Sequence, residues 1–260
     1  MNNLPIGLRS DILFFNFRNN VIEKNDYIVL YTLNNLDFFW GNYLILKNPL
    51  SIGDFEKWTK YYQNEFSNIS SNKQMCFSWP GDLSYIELNK FKENNFIFFD
   101  RLTMTARKKD IKCKYYNNEV LCKRMVTNDD WEQVLNFQFK INEFLNKKKS
   151  KSYIEKRVFE FKSYTDNNHG YWYAAFLNGE IISDVGLYWN DEFARLQNLK
   201  TLKEYRKLGV AQTLIKYAIE DSNQEFFTLE AEENGLAINM YKSIGFTVQE
   251  KKYGLYSSSI

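Results

Sequence analysis

One histidine, His169, and three cysteines in 260 residues leave too little material for a His/Cys metal cluster. Cys76, Cys113 and Cys122 make neither a CxxC pair nor an even framework, so no metal site and no disulfide scaffold is expected. Each thiol reads as a small core residue or an ordinary free cysteine. His169, in a turn before Gly170, reads as exposed and uninvolved. An excess of one charge is also missing. The net charge of +2 arises from 34 basic and 32 acidic residues, which supplies no field to hold a polyanion and argues against nucleic acid as a partner. Long apolar runs are absent too: Tyr27 to Tyr31 and Phe96 to Phe99 are far short of a bilayer span, and the N-terminus lacks a signal-peptide layout, so no membrane and a cytoplasmic location are expected. Apolar residues at 44% and charged residues at 25% match an ordered globular chain.

Prolines are three, all before Asn117, and only four of the eleven glycines precede that point. Upstream of it, apolar runs at Tyr27–Thr32, Phe38–Leu46, Met75–Trp79 and Phe96–Ala106 alternate with helical stretches at Ser51–Phe66 and about Asp82–Asn94, a mixed α/β unit. The basic stretch Arg107–Asn118 carries no apolar period. It marks the expected boundary between an N-terminal α/β domain, 1–117, and a second domain, 118–260. The aromatics Phe38, Phe39, Trp40, Tyr43, Trp58, Tyr61 and Tyr62 read as core of the first.

After the boundary, Glu119–Met125 alternates like a strand. Thr127 and Asp130 form an N-cap with an acidic N3, opening a helix through Trp131, Leu135 and Phe139. The lysines Lys147, Lys148, Lys149 and Lys151 read as a solvated turn before a second helix near Tyr153–Tyr164. Gly170–Phe176 and Glu180–Trp189 are strands joined by Asn178-Gly179, a hairpin signal. A further strand, Arg195–Thr201, leads into Glu204-Tyr205-Arg206-Lys207-Leu208-Gly209-Val210-Ala211 and then a helix with an apolar stripe of Val210, Ala211, Leu214, Ile215, Ala218 and Ile219. The N–H groups at such a helix start have no internal partner and suit a pyrophosphate, which small residues at 209 and 211 allow to approach. Downstream of the strand Phe226–Ala231, Ala237, Met240, Tyr241 and Ile244 are spaced as a short helix from near Asn234 to Gly245, with Tyr241 on its inner face.

These two segments resemble the GNAT superfamily of N-acetyltransferases. Its phosphate motif, Arg or Gln followed by x-x-Gly-x-Gly/Ala, matches Arg206 to Ala211. Its second motif, Asn-x-x-Ala-x-x-x-Tyr-x-x-x-Gly-Phe, matches Asn234, Ala237, Tyr241, Gly245 and Phe246. The resemblance implies the GNAT acyltransferase fold, an α/β (α+β) architecture with a mixed, mostly antiparallel sheet flanked by helices, over about the last 140 residues. The first domain would be a degenerate copy, since no such motif precedes Asn117.

The resemblance also implies an acyltransferase that moves an acetyl group from acetyl-CoA directly to a primary amine on a small molecule or peptide. Pyrophosphate would rest on the backbone of Lys207, Leu208, Gly209, Val210, Ala211 and Gln212 beside Arg206. Pantetheine would pair with the strand Leu199, Lys200 and Thr201 and bond Asn234, and Tyr241 would protonate the leaving thiolate. For the base, Glu230 and Glu232, on or just after the strand beside the expected thioester, are put forward ahead of Asp184 and Glu192 on the central hairpin; each of the four also reads as a solvated surface carboxylate, and a water chain to bulk would suffice in their place. A homodimer is among the expected assemblies. A non-catalytic acyl-CoA sensor and an enzyme using another acyl donor are the competing readings.

Overall fold

The computed structural model describes residues 3–33, 41–67, 74–81, 88–144 and 149–257. Residues 38–40 of the expected strand Phe38–Leu46, residues 82–87 of the expected helix Asp82–Asn94, and Lys147 and Lys148 lie outside them. The fold is mixed α/β, with mostly antiparallel strands flanked by helices, in two compact units. One comprises residues 1–103, 230–233 and 248–260; the other comprises 104–229 and 234–247.

The first unit contains the helices α1 (Ile6–Asn16), α2 (Asp54–Phe66) and α3 (Leu88–Glu93) and the strands β1 (Val21–Glu23), β2 (Tyr27–Leu30), β3 (Tyr43–Leu46) and β4 (Cys76–Trp79). β5 (Phe96–Arg107) supplies its residues up to Thr103. β1, β2 and β3 form an antiparallel meander, and β3 and β4 are parallel, with Leu44 opposite Phe77. The C-terminal strand β11 (Thr247–Ser257) returns to this unit and runs antiparallel to β4, Tyr253 opposite Trp79. Alternation along β3 divides the core. Leu44 and Leu46 pack with Trp58, Tyr62, Phe66 and Phe77, whereas Tyr43 and Ile45 pack with Leu8, Ile12 and Phe15 of α1. Tyr43, Trp58 and Tyr62 are therefore core, as their apolar surroundings in the sequence suggest.

In the second unit, β6 (Leu121–Arg124), β7 (Gly170–Leu177), β8 (Glu180–Trp189) and β9 (Ala194–Thr201) are successive antiparallel neighbours. The two-residue Asn178-Gly179 turn, both φ positive, sets the β7–β8 register with Leu177 opposite Glu180. Helices α4 (Asn128–Phe144) and α5 (Lys151–Asp166) cover one face, where Trp131 and Phe161 meet Trp172. Thr127 caps α4 by accepting from the Asp130 N–H at 3.1 Å while Asp130 accepts from the N–H groups of Val126 and Thr127, the reciprocal box expected. Burial pushes the Asp130 carboxyl up, but the Lys123 ammonium and these N–H groups outweigh it and hold it well below its ordinary value. The next residue of β7, Tyr173, faces the opposite way and packs on Tyr217 of α6 (Val210–Asp221). β10 (Phe226–Ala231) follows α6, with residues up to Leu229 in this unit, and α7 (Ile238–Ser243) completes it.

Candidate functional site

β9 carries two irregularities. Opposite Asp184 to Gly186 of β8 it spends one residue more, Lys200 to Gln197, and Asn198 within that interval has φ 61°. This is a β-bulge, and asparagine is among the few non-glycine residues that adopt such a φ readily. Second, β9 runs parallel to β10 only at Ala194 and Arg195, opposite Phe227 and Thr228. From Leu196 to Thr201 its register is with β8 alone. Leu199, Lys200 and Thr201, the residues expected to carry pantetheine, all lie in this segment and are half-buried. One side of the backbone there is available to an extended ligand.

Beyond β9, a 3-10 turn at Lys203–Tyr205 and the residues Arg206 to Gly209 lead into α6. Lys207 (φ 63°) and Gly209 (φ 79°) are both left-handed, which turns the chain sharply into the helix. The backbone N–H groups of Lys207, Leu208, Gly209, Val210, Ala211 and Gln212 donate to no other described residue, whereas Thr213 N–H already bonds the Gly209 carbonyl at 3.0 Å. Six consecutive donors thus stand at the positive end of the α6 dipole, a geometry suited to a multiply charged anion. The first turn of α6 has no acidic residue. Arg206 is exposed and donates from Nε to the Thr201 carbonyl at 3.0 Å, which ties its guanidinium to the end of β9.

Sequence reasoning missed a second layer behind this turn. The segment Tyr115–Asn117 lies across it: Tyr115 N–H donates to Gln212 Oε1 (3.1 Å), Asn117 N–H to Thr213 Oγ1 (2.8 Å), and Asn117 Nδ2 to the Leu208 carbonyl (2.9 Å). Gln212 also donates to Ser243 Oγ of α7. A Cβ on residue 209 would stand 2.6 Å from the Tyr115 carbonyl oxygen. Glycine is therefore demanded there by the protein's own backbone as well as by φ, which the motif alone does not reveal.

α7 begins at Ile238, later than the expected start near Asn234; residues 234–237 form turns without a side-chain cap. Asn234 is exposed in that turn. Tyr241 is buried on the inner side of α7, as expected from its spacing, with its ring edge-on to Phe246 at 6.1 Å. Its hydroxyl bonds no described residue, yet it is not sealed in. Burial raises its pKa to about 12, so the phenol keeps its proton at neutral pH.

The candidate bases fall in the first unit. Glu230 pairs with the buried ammonium of Lys252, and Glu232, largely exposed, sits 3.3 Å from Arg101. Glu192 is exposed as expected, but Asp184 is not a solvated carboxylate. It is fully buried, accepts from Gln138 Nε2 and Trp172 Nε1, and leaves Oδ1 without a partner. Burial pushes its pKa up to about 7, with Lys200, opposite it on β9, pulling the other way. Its partners come from β7, β9 and α4, 12 to 46 residues away in sequence, so no local pattern announces its burial.

Comparison with known proteins bears on this geometry. Residues 131–246 match the family model "Acetyltransferase (GNAT) family". No curated protein matches the sequence at a significant level. Among solved structures, a functionally unknown conserved protein of Staphylococcus epidermidis is similar with a TM-score of 0.79 and 18% identity, over 93% of this chain and 94% of that one. A GCN5-related N-acetyltransferase from Kribbella flavida is similar with a TM-score of 0.65 and 11% identity, over 96% and 94%. A tandem GNAT protein from the clavulanic acid biosynthesis pathway is similar with a TM-score of 0.54 and 9% identity, over 84% and 75%. At these identities the structures speak for the fold alone. The model match and the turn it spans together identify residues 131–246 as a domain of the acetyltransferase (GNAT) family.

Proposed function

We propose that the protein transfers an acetyl group from acetyl-CoA to a primary amine on a small molecule or peptide. The observation that carries the reading is the juxtaposition of six unused N–H groups at Lys207–Gln212 with a strand segment, Leu196–Thr201, that has a partner on one side only. A pyrophosphate joined to an extended chain of amides has this pattern of acceptors followed by strand-like hydrogen-bonding groups, and acyl-CoA is such a molecule. Arg206 would add a charge-assisted bond to the pyrophosphate, and the exposed amide of Asn234 a further one to pantetheine.

In the reaction the amine nitrogen forms the new C–N bond, the C–S bond breaks, and the sulfur leaves as thiolate. Tyr241 would donate its hydroxyl hydrogen bond to that sulfur; with a pKa of about 12 it is always protonated when needed. The proton lost by the amine goes to a carboxylate or to water. Glu230 and Glu232 are retained for this role, Glu232 being the one exposed enough to exchange protons directly with solvent.

As repeats along the chain the two halves would be 1–117 and 118–260, the first a degenerate GNAT-like copy that does not hold the donor. The decisive experiment is calorimetry with acetyl-CoA followed by thiol release in the presence of a panel of primary amines. One molecule bound per chain with amine-dependent thiol release is expected. No binding would remove the reading, and binding without release under any amine would leave a sensor in its place.

A further inference from the structure

The first unit contains a cavity of about 380 Å³, in the range that small organic ligands occupy. It lies where β4 ends. Tyr253 of β11 is the last residue opposite β4, facing Trp79, and beyond it the chain turns away through Pro80 and Gly81. The cavity wall takes apolar surface from Pro5 and Pro80 and charge from Glu250, Lys251 and Lys252 of β11.

The two lysines of that wall are already answered. Lys251 lies 2.7 Å from Asp100 and 2.6 Å from Glu233, and Lys252 is bracketed by Asp11 and Glu230. Each cation thus has two carboxylates of its own. Glu250 is different. Its Oε1 accepts from the Gly7 N–H at 2.5 Å, while Oε2 has no partner among the described residues and is accessible. Burial raises its pKa, although the Gly7 N–H, Arg9 and Lys252 oppose the shift and Glu230 adds to it. A half-buried carboxylate with a free oxygen beside an apolar wall is a seat for a cation that carries its own apolar body.

We propose that this cavity binds a small organic ammonium ion, its charge on Glu250 Oε2 and its apolar body against Pro5 and Pro80. The site belongs to the first unit and does not depend on acyl transfer, so it is tested without acetyl-CoA. Phenethylammonium and its neutral isostere 2-phenylethanol are titrated into the full-length protein by calorimetry, with the backbone amide resonances of Gly7 and Gly81 followed in parallel. The ammonium is expected to bind at least tenfold more tightly than the alcohol and to shift both resonances. Glu250→Gln, which retains an oxygen for the Gly7 N–H, should abolish the preference while its melting curve stays that of a folded protein. Equal affinity for the two ligands, unmoved resonances at Gly7 and Gly81, or an unchanged preference in a folded Glu250→Gln variant would each overturn the proposal. Failure of acetyl transfer would leave these readouts untouched.

Discussion

Ala211→Glu separates the anion-binding role of the α6 start from its structural role, because the two respond with opposite sign. Residue 211 is the second residue of α6, half-buried, in a first turn that has no acid. A carboxylate there faces the positive end of the helix dipole and should stabilise the fold by about 0.3–1 kcal/mol. The same carboxylate would stand beside a bound pyrophosphate. Two unit charges about 4 Å apart repel by about 1 kcal/mol in water and about 4 kcal/mol at the effective dielectric of a protein surface. Affinity for acetyl-CoA should therefore fall by roughly five- to several-hundredfold, while the melting temperature holds or rises. Gly209 is the poorer target. With φ 79° and a Cβ position 2.6 Å from the Tyr115 carbonyl, any substitution there strains the turn itself, so lost binding would not distinguish a blocked ligand from a damaged fold. Calorimetry and thermal melts on Ala211→Glu settle the matter. A folded variant that binds acetyl-CoA within about threefold of the parent would refute the assignment of this turn to phosphate.

Tyr241→Phe keeps the ring against Phe246 and should leave acetyl-CoA affinity intact while lowering kcat by about 10²-fold, as for a lost general acid; an unchanged kcat in steady-state thiol release would show that the sulfur leaves without this hydroxyl. Asp184→Asn should make stability less dependent on pH. The folded carboxyl titrates near 7 against an ordinary 3.8, so the unfolded state releases its proton first and the parent loses stability between about pH 4 and 7. An asparagine can accept from Gln138 and Trp172 as the carboxylate does and place its amide where Oδ1 has no partner. Denaturant melts at pH 5 and pH 8 should show the variant gaining on the parent by about 2–3 kcal/mol at the higher pH, the opposing pull of Lys200 being already contained in the folded value; an equal difference at both pH values would contradict the burial argument.

What could be read from the sequence was what is decided locally. The Asn178-Gly179 hairpin, the Thr127/Asp130 cap and the spacing that buries Tyr241 each depend on residues within a few positions of one another, and all three stand in the structure. The turn from β9 through Gly209 into α6 was legible for the same reason. α1 was not: Ile6–Asn16 opens on Pro5 with no side-chain cap, and its apolar residues are too numerous to mark a single stripe. The burial of Asp184, the bulge at Asn198 and the layer formed by Tyr115–Asn117 are all set by partners distant in sequence. Periodicity carries no record of such pairings, which is why a carboxylate in a strand was read as solvated when it sits in the core.

The two units contain the same local construction with different chemistry at its centre. In the second, β9 leads through a left-handed glycine, Gly209, into α6 and then into a parallel neighbour, β10. In the first, β3 leads through Gly53, also left-handed at φ 81°, into α2 and then into a parallel neighbour, β4. A left-handed glycine immediately before the helix is present twice. What differs is the first turn of the helix. α2 begins with Asp54 and Glu56, and Asp54 Oδ2 already accepts from the Ser51 N–H at 2.8 Å, so carboxylates occupy the positive end of its dipole. α6 keeps that end clear of acids, and the N–H groups of Lys207 to Gln212 leading into it bond no described residue. An incoming pyrophosphate would meet attraction at one turn and repulsion at the other, although a left-handed glycine opens both helices. A few side chains at a helix start thus decide whether it would attract or repel an anion, whatever the backbone that leads into it.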